Sequence, residues 1–325
     1  MILAGIDEAG YGPLLGPLVV GCCAFEVEGD PDGELPCLWK RLRKLVSKNR
    51  LRSGKKIHVN DSKQVYNPGI GLKELERSVL AMAFASDHAG EDRGGLLGLL
   101  GHTASHALAD LDGYAWYRPA AQERFPLDQE ALAIQLFAKA LRQEMERSAT
   151  RCIYLGARVV FERQLNRMLE AMRNKSNVLF SVSAMHLDHL LRTYADRQLV
   201  IFCDRQGGRD FYGPSLRLMF EQWALEIVSE QDGRSEYRLQ NAGRTVRLIF
   251  CEKAEAQCMP VALASMLSKY LREALMRRFN AFWKEHLPEI EPTAGYYGDG
   301  VRFLKDIDAK RHELGITDGQ LIRSR

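Results

Sequence analysis

Two apolar runs in this chain end directly on acidic residues. Residues 2–6 read Ile-Leu-Ala-Gly-Ile and precede Asp7 and Glu8, and residues 198–203 read Gln-Leu-Val-Ile-Phe-Cys and precede Asp204. Each run has the length and composition of a buried strand, so each delivers a carboxylate to the edge of a sheet. Successive strand residues point to opposite faces, so Asp7 and Glu8 line one site together only where the strand breaks into a turn.

Groups suited to holding a phosphate follow both acidic positions. Gly10 and Gly12 leave their backbone N–H groups unobstructed, which allows close approach of a phosphate or a sugar. Arg205 opens a basic turn at residues 205–209, Arg-Gln-Gly-Gly-Arg. The chemistry indicated is recognition of a phosphate or sugar beside carboxylates. An exposed acidic turn at the first position and an ordinary loop at the second are the alternative interpretations.

Four short motifs, spread along the chain, carry a resemblance to a known family. Residues 7–13, Asp-Glu-Ala-Gly-Tyr-Gly-Pro, resemble the Asp-Glu-Ala-Gly-Arg-Gly-Pro segment of type 2 ribonuclease H, the ribonuclease HII family, with Tyr11 in place of arginine. Residues 60–63, Asn-Asp-Ser-Lys, resemble a second hallmark, which in the family helps to hold the nucleic-acid backbone. Asp204 corresponds to the acid of the family's Asp-Gly-Asn segment. Residues 253–255, Lys-Ala-Glu, stand where the family has Lys-Ala-Asp.

The resemblance assigns four carboxylates to one metal-dependent catalytic site: Asp7, Glu8, Asp204 and Glu255. Four carboxylates held close together repel one another, and divalent cations relieve this repulsion. Oxygen-only ligands favour Mg²⁺ or Mn²⁺, and a pair of such ions can activate water and stabilise a leaving 3′ oxygen. Glu255 departs from the family's aspartate, and its extra methylene moves the carboxylate by roughly one bond length.

The implied activity is that of a metal-dependent endoribonuclease, which hydrolyses the RNA strand of RNA–DNA hybrids or ribonucleotides embedded in duplex DNA. Residues 295–298, Gly-Tyr-Tyr-Gly, resemble the family's Gly-Tyr-Gly turn near the 2′-hydroxyl, with Tyr297 the better match and Tyr296 the alternative. The predicted substrate contacts are Gly10, Tyr11, Gly12, Asn60, Ser62, Lys63, Arg205 and Tyr297.

Two other functions are compatible with the same residues. Tyr11 and Glu255 depart from the family motifs, which is compatible with a nucleic-acid-binding relative of weak or absent activity. A metal-dependent phosphoesterase acting on another substrate would use the same acidic residues. A histidine pair at His102 and His106 has helical i, i+4 spacing, but packed or solvated histidines are the simpler interpretation.

The resemblance implies an α/β fold with a ribonuclease H-like mixed β-sheet flanked by helices. We expect residues 1–85 and 150–285 to form the ribonuclease H-like domain and residues 86–149 to form a helical insertion of unknown role. Residues 286–325 are expected to form a C-terminal helical segment that contacts the substrate.

Local patterns predict the elements that position these residues. A basic helix is expected over residues 38–51 and another helix over residues 213–227. Asn241-Ala242-Gly243 predicts the turn of a β-hairpin, and Pro260 predicts the start of a long amphipathic helix.

Composition narrows the class of protein further. The 325 residues carry 45 Lys and Arg against 42 Asp and Glu, a formal net charge of +3, so any basic binding surface must be local. Seven cysteines without C-x-x-C spacing predict reduced, mostly buried thiols. We find no apolar run long enough for a membrane span and no basic leader, which favours a soluble cytoplasmic protein that does not bind membranes. The oligomeric state does not follow from the sequence.

Overall fold

A computed structural model of the chain describes residues 1–30, 32–51, 54–67, 69, 71–87, 95–118 and 125–324. Residues 88–94 and 119–124 of the predicted insertion and residue 325 of the predicted C-terminal segment lie outside the described residues.

A mixed β-sheet forms the centre of the described chain. Its strands are β1 (Ile2–Ala9), β2 (Leu18–Val27), β5 (Thr150–Val160), β6 (Leu199–Asp204), β7 (Ala224–Gln231), β8 (Arg234–Asn241) and β9 (Arg244–Cys251), in the order β5-β2-β1-β6-β9-β8-β7. Two short strands, β3 (Val46–Ser47) and β4 (Ile57–His58), pair with each other in parallel. In the main sheet β1, β6 and β9 run parallel, and the other neighbouring strands pair antiparallel.

Helices cover both faces of this sheet. They are α1 (Leu38–Arg41), α2 (Ser62–Val65), α3 (Lys73–Ala85), α4 (Gly95–Thr103), α5 (His106–Leu111), α6 (Ala131–Arg147), α7 (Glu162–Met172), α8 (Lys175–Tyr194), α9 (Gly213–Met219), α10 (Ala254–Gln257), α11 (Met259–His286), α12 (Tyr297–Glu313) and α13 (Asp318–Leu321), with a 3₁₀ turn at Ala115–Tyr117. The predicted α/β fold with a mixed sheet flanked by helices is confirmed.

The alternation of each central strand separates two apolar cores. Leu3 of β1 and Val200 of β6 face a core built with α3, α6 and α11. Ile6 of β1 and Ile201 of β6 face a second core built with α7, α8 and α9. The described part of the predicted insertion packs into the first core, where Trp116 is buried against Phe279 of α11.

Helix α11 lies directly on the backbone of β1 and β2 because two glycines face it. A Cβ atom added to Gly5 would lie 2.2 Å from the backbone nitrogen of Val261. A Cβ atom added to Gly21 would lie 2.4 Å from the carbonyl oxygen of Ala264. The absence of side chains at these two positions sets the distance between the helix and the sheet, and with it the position of every α11 residue near the strand ends.

The helix predicted over residues 38–51 is wrong beyond its first turn. Helix α1 ends at Arg41, and β3 follows at Val46–Ser47. The backbone N–H of Ile57 donates to the carbonyl of Leu45 at 2.8 Å, and the Trp39 indole donates to the carbonyl of Val59 at 2.8 Å. Pairing with a distant segment therefore replaces the local helical hydrogen bonds.

The helix predicted over residues 213–227 is also wrong in its second half. Helix α9 ends at Met219, and β7 begins at Ala224 as the partner of β8. Strand β8 would otherwise present unpaired N–H and C=O groups at the sheet edge, and the β-branched residues Ile227 and Val228 suit a strand there.

Other predictions on local structure are confirmed. The hairpin between β8 and β9 turns at Ala242 and Gly243, both at positive φ, and α11 begins at Met259 with Pro260 in its first turn. The seven cysteines, all within the described ranges, are free thiols, and six of them are buried. Among the helices in the described ranges, none combines the length and apolar character needed to cross a lipid bilayer.

We predict that Gly5→Ala lowers the free energy of unfolding by about 2–4 kcal/mol, because the added methyl group forces α11 away from β1. Gly12→Ala is the matched control, since a Cβ atom there meets no other atom within 4 Å. Urea unfolding of the two variants measures the difference. Equal stabilities would contradict close packing at Gly5.

Candidate active site

The carboxylates of Asp7 and Asp204 follow the last paired residues of two neighbouring parallel strands. The register of β1 and β6 ends at Ile6 opposite Cys203, so the next residue on each strand is an aspartate. Neighbouring strands lie about 4.8 Å apart, which places both acids at the same edge of the sheet. Here the sequence prediction and the fold agree on the position of the two acids.

Glu8 lies within β1 and not in a turn after it. Strand β1 stays paired with β2 through Ala9, so the expected break of the strand before Glu8 is wrong. The backbone N–H of Glu8 donates to Oδ1 of Asp7 at 2.7 Å. Its carboxylate is nevertheless close enough to the sheet edge for the charge of Asp204 to raise its pKa. Strand β6 stops pairing with β1 at Cys203, which leaves the edge of the sheet open beyond that residue. This open edge, and not a break in β1, allows Glu8 to lie near Asp204.

Glu255 reaches the same edge from the first turn of α10, which follows β9. Lys253 adopts a left-handed conformation with φ of 53°, which turns the chain so that the backbone N–H of Ala254 donates to Oδ1 of Asp204 at 3.1 Å. Burial raises the pKa of Glu255, and the nearby charge of Asp204 raises it further. The structure thus brings Glu255 to Asp204, and Asp204 to Asp7 and Glu8. We call these four residues the acidic cluster.

Burial and mutual repulsion weaken the acidity of the cluster. Burial raises the pKa of Asp7 well above 3.8, and the charges of Glu8 and Asp204 raise it further. Burial and then the charge of Asp204 raise the pKa of Glu8 to about 7. Burial also raises the pKa values of Asp204 and Glu255. Glu8 therefore exchanges its proton near neutral pH, and a cation bound in the cluster would favour its ionised form.

The donor chemistry of the acidic cluster fits a hard divalent cation. All four side chains offer carboxylate oxygens, and a cation bound among them would relieve the repulsion between Asp204 and its neighbours. Across the residues that the structure describes, no group of three or more His, Cys, Asp or Glu side chains is already arranged as a metal site. The cluster is matched to Mg²⁺ or Mn²⁺ in chemistry but is not preformed in geometry.

Serines of α11 support the cluster from the helical side, and the sequence analysis missed them. The Ser265 hydroxyl contacts the Asp7 carboxylate and the Ser62 hydroxyl, the latter at 3.1 Å. The Ser268 hydroxyl donates to the carbonyl oxygen of Asp7 at 3.2 Å. Both serines are buried on a long apolar helix. Their only sign in the sequence is that they are small polar residues among apolar ones.

The predicted contacts of residues 60–63 separate into two kinds. Asn60 donates to the carbonyl of Lys48 at 3.0 Å, and Ser62 is buried against Ser265, so both side chains already have partners within the protein. Lys63 is exposed, and its charge lowers the pKa values of Glu8 and Asp204. Lys63 thus faces the acidic cluster.

Two other predicted substrate contacts differ in their surroundings. The Arg205 guanidinium forms ion pairs with Asp210 and Glu252, so any phosphate must compete with these carboxylates. Tyr297, the first residue of α12, is 56% exposed, and its neighbour Tyr296 is 53% exposed. The roles proposed for these residues stay predictions.

The turn at residues 10–12, which we call the glycine turn, is shaped for close approach. Gly10 has φ of +88°, and a Cβ atom there would lie 2.5 Å from the carbonyl oxygen of Pro17. Gly12 by contrast is exposed with open space around it. Gly10 is therefore required by the fold, whereas Gly12 leaves room for a ligand.

Two segments distant in the sequence form hydrogen bonds to the glycine turn and to the residues that follow it. The Arg323 guanidinium donates to the carbonyl oxygens of Gly10 and, at 3.2 Å, Tyr11. The carbonyl oxygen of Gly295 accepts from the backbone N–H groups of Leu14 at 2.7 Å and Leu15 at 3.1 Å. Sequence reasoning missed Arg323, because an arginine after a short helix resembles an ordinary solvated charge.

The buried carboxylate of Glu162 lies near Arg323. Glu162 at the start of α7 accepts a hydrogen bond from the Tyr117 hydroxyl at 2.9 Å. Burial raises the pKa of Glu162 to about 7, and the charge of Arg323 opposes this increase. Burial and then the charge of Arg272 lower the pKa of Arg323 to about 10, so Arg323 remains charged at neutral pH.

The helical i, i+4 spacing expected for His102 and His106 is interrupted. His102 lies in α4 and His106 begins α5, so the two do not share a continuous helix. The backbone N–H of Val159 donates to Nε2 of His106 at 3.2 Å. The simpler interpretation of a packed histidine therefore applies to His106.

The mixed sheet, its strand-end acids and the glycine turn belong to an α/β protein, and part of the chain is similar in sequence to ribonuclease HII. The chain is 47% identical over 60 residues to ribonuclease HII of Methanocaldococcus jannaschii, covering 18% of this chain and 25% of that protein. It is 40% identical over 76 residues to ribonuclease HII of Chlamydia abortus, covering 23% of this chain and 32% of that protein. The predicted resemblance to this family is confirmed.

The similarity in sequence is confined to part of each protein. The matched segments span about a quarter to a third of the curated relatives. No family model matches the chain. The crystal structure of ribonuclease H2 from Pyrococcus horikoshii OT3 superimposes with a TM-score of 0.44 at 15% identity, over 99% of this chain and 92% of that one.

We predict that Arg323→Ala loosens the glycine turn. The variant loses hydrogen bonds to two carbonyl oxygens, so we expect a loss of about 1–3 kcal/mol in stability and faster hydrogen exchange at residues 10–15. Arg192→Ala is the control, since Arg192 pairs with Asp188 at the surface. Unchanged exchange at the turn would show that Arg323 does not hold it.

We predict that Glu162 makes the protein less stable as the pH rises. The folded chain binds a proton at Glu162 more tightly than the unfolded chain, so the free energy of unfolding falls as pH rises from 4.5 to about 7, by up to about 1.4 kcal/mol per pH unit. Glu162→Gln keeps an acceptor for Tyr117 but cannot titrate. Its stability curve should be flatter over this range, and parallel curves for the two proteins would contradict the buried acid.

Proposed function

We propose that the chain is a metal-dependent endoribonuclease that hydrolyses the RNA strand of an RNA–DNA hybrid or a ribonucleotide embedded in duplex DNA. The observation that carries this proposal is the convergence of Asp7, Glu8, Asp204 and Glu255 beside the glycine turn. The two curated relatives named ribonuclease HII support the same class of reaction.

The acidic cluster is proposed to hold two Mg²⁺ or Mn²⁺ ions. When bound, such ions activate water and stabilise the charge on the phosphate and the leaving 3′ oxygen. The water oxygen bonds to phosphorus as the bond to the 3′ oxygen breaks, which leaves a 5′-phosphate and a 3′-hydroxyl. We assign no single carboxylate as the sole base, because the pKa values of Asp7, Glu8 and Asp204 depend on one another.

The remaining residues are proposed to bind and orient the substrate. Gly12 leaves room for the sugar–phosphate backbone, and the Lys63 ammonium lies near enough to the cluster to attract a phosphate there. Tyr11 and Tyr297 are proposed to recognise the 2′-hydroxyl, which distinguishes RNA from DNA. Asn60 and Ser62 would act indirectly by fixing the start of the short helix α2, which carries Lys63.

The departure at Glu255 is compatible with this proposal. Its longer side chain lies close enough to Asp204 for the charge of Asp204 to raise the pKa of Glu255, in addition to the larger effect of burial. The turn at Lys253 adjusts the backbone so that Ala254 donates to Asp204 and Glu255 stands beside it. We propose that Glu255 serves as the fourth carboxylate in place of aspartate.

We also propose the domain organisation that the family resemblance suggests. Residues 1–85 and 150–285 would form the catalytic unit, residues 86–149 an insertion, and residues 286–325 a substrate-contacting segment. Helix α6 of the insertion is anchored near α3, where the Glu76 carboxylate accepts hydrogen bonds from the backbone N–H groups of Leu127 and Gln129 at 2.6 and 2.7 Å.

We predict that Asp204→Asn lowers cleavage at least about 100-fold without lowering stability. Asparagine keeps an oxygen for the Ala254 N–H but removes one of the mutually repelling charges, so the melting temperature should be equal or higher. The assay uses a labelled duplex with one ribonucleotide and an RNA–DNA hybrid, each with Mg²⁺ and with Mn²⁺.

The outcomes separate the alternatives. Cleavage by Asp204→Asn at the wild-type rate would show that the active site is misassigned. Binding of the hybrid by the wild-type chain without cleavage by either ion would indicate a non-catalytic relative. Hydrolysis of small phosphoesters without hybrid binding would indicate another phosphoesterase.

A further inference from the structure

A basic cavity of about 950 Å³ lies between α7, the start of α8 and the segment around α13. Its lining includes Arg163, Arg167, Arg173 and Lys175, against a single acidic residue, Glu170, among the residues that line it. The net charge of the whole chain is only +3, so this concentration of cations is local.

The arginines of the cavity have no acidic partners. Within the described ranges, Arg163, Arg167 and Arg173 form no ion pair, and all three are exposed. Arg192 on α8 and Arg311 on α12 by contrast each pair with an aspartate on their own helix. The cavity therefore presents uncompensated positive charge to solvent, which suits a polyanion.

One residue that lines the cavity, Lys175, also lies next to the glycine turn. The Lys175 ammonium lies 5.0 Å from the centre of the Tyr11 ring, in the glycine turn. Asn166, in the cavity wall, donates to the carbonyl of Ile322 at 2.8 Å and accepts from the backbone N–H of Ser324 at 2.7 Å. Between those two residues Arg323 holds the glycine turn. The segment around Arg323 therefore contacts both the lining of the basic cavity and the glycine turn.

The cations extend further than one phosphate requires. Arg173, the residue that caps the end of α7, lies ten positions after Arg163. A helical rise of about 1.5 Å per residue places their backbones about 15 Å apart along the helix. Successive phosphates of one strand advance about 3.4 Å along the duplex axis, so this row matches about four nucleotides. A nucleic-acid strand fits this length better than a mononucleotide or a free phosphate.

We infer that the basic cavity binds the sugar–phosphate backbone of a nucleic-acid duplex on the side of the glycine turn that faces α7 and α8. The inference rests on the proposed function, since it extends the same substrate site. Arg163, Arg167, Arg173 and Lys175 contact phosphates and set the position of the duplex, whereas recognition of the ribonucleotide stays at the acidic cluster and the glycine turn.

Arg173 offers a way to test binding without damaging the fold. It ends α7 in a left-handed conformation, with φ of 51°, where glycine is the usual residue. Arg173→Gly therefore removes a charge while relieving backbone strain. A purely structural role predicts lost stability on substitution, but phosphate contact predicts weaker binding with an equal or higher melting temperature.

The experiment measures duplex binding by fluorescence anisotropy, in EDTA to prevent cleavage, over a series of salt concentrations. It compares the wild type with Arg167→Ala/Arg173→Gly and with the control pair Lys139→Ala/Lys284→Ala, which removes two exposed charges elsewhere. We expect the cavity variant to bind a ribonucleotide-containing duplex and an all-DNA duplex about tenfold or more weakly near 0.1 M salt. Its slope of log K against log salt should fall by about 2.

Each outcome decides the inference. Restored binding with Arg167→Lys/Arg173→Lys supports phosphate contact. Cavity and control variants that bind equally, while the wild type cleaves its substrate, would overturn the cavity and leave the proposed function intact. Weaker binding by the cavity variant, when the wild type never cleaves, would support the cavity and refute the proposed function. A wild type that binds neither duplex would refute both.

Discussion

Close contact between α11 and the backbone of β1 and β2 is the constraint on which the candidate site depends. Gly5 and Gly21 allow this contact, because any side chain at either position would overlap the backbone of the helix. The same contact brings Ser265 and Ser268 to Asp7, and it fixes the start of α11 just after Glu255. The absence of side chains at Gly5 and Gly21 therefore helps to set the positions of Asp7 and Glu255, which are distant in the sequence.

The carboxylates of the acidic cluster repel one another in the folded chain. Burial raises the pKa values of its members, and the charges of neighbouring members raise those of Asp7 and Glu8 further. The chain offsets the repulsion with the charge of Lys63 and with the hydrogen bond from the Ala254 N–H to Asp204. A site of this kind binds cations readily, because each bound cation relieves repulsion that is already present.

The C-terminal part of the chain completes the surface beside the cluster. Arg323 holds the glycine turn through its carbonyl groups, and Gly295 holds the next residues of the chain through the N–H groups of Leu14 and Leu15. Asn166 of α7 is hydrogen-bonded to the segment around Arg323. The glycine turn and the basic cavity therefore share a support. Movement of α7 would reach the turn through hydrogen bonds to backbone atoms, without any contact to the acids themselves.

Local patterns were sufficient for the strand-end acids, the turn at residues 10–12, the hairpin at Gly243 and the start of α11 at Pro260. In each case a few neighbouring residues fix the conformation, whereas the resemblance to ribonuclease HII indicated which acids belong together. The strand at Val46–Ser47 and the edge strand β7 did not follow from such patterns, because partners from elsewhere in the chain supply their hydrogen bonds. Arg323 lies 313 positions from Gly10, and the basic cavity joins two helices to a distant segment. Contacts over such separations leave no periodic trace in the sequence, so only the folded chain brings these groups together.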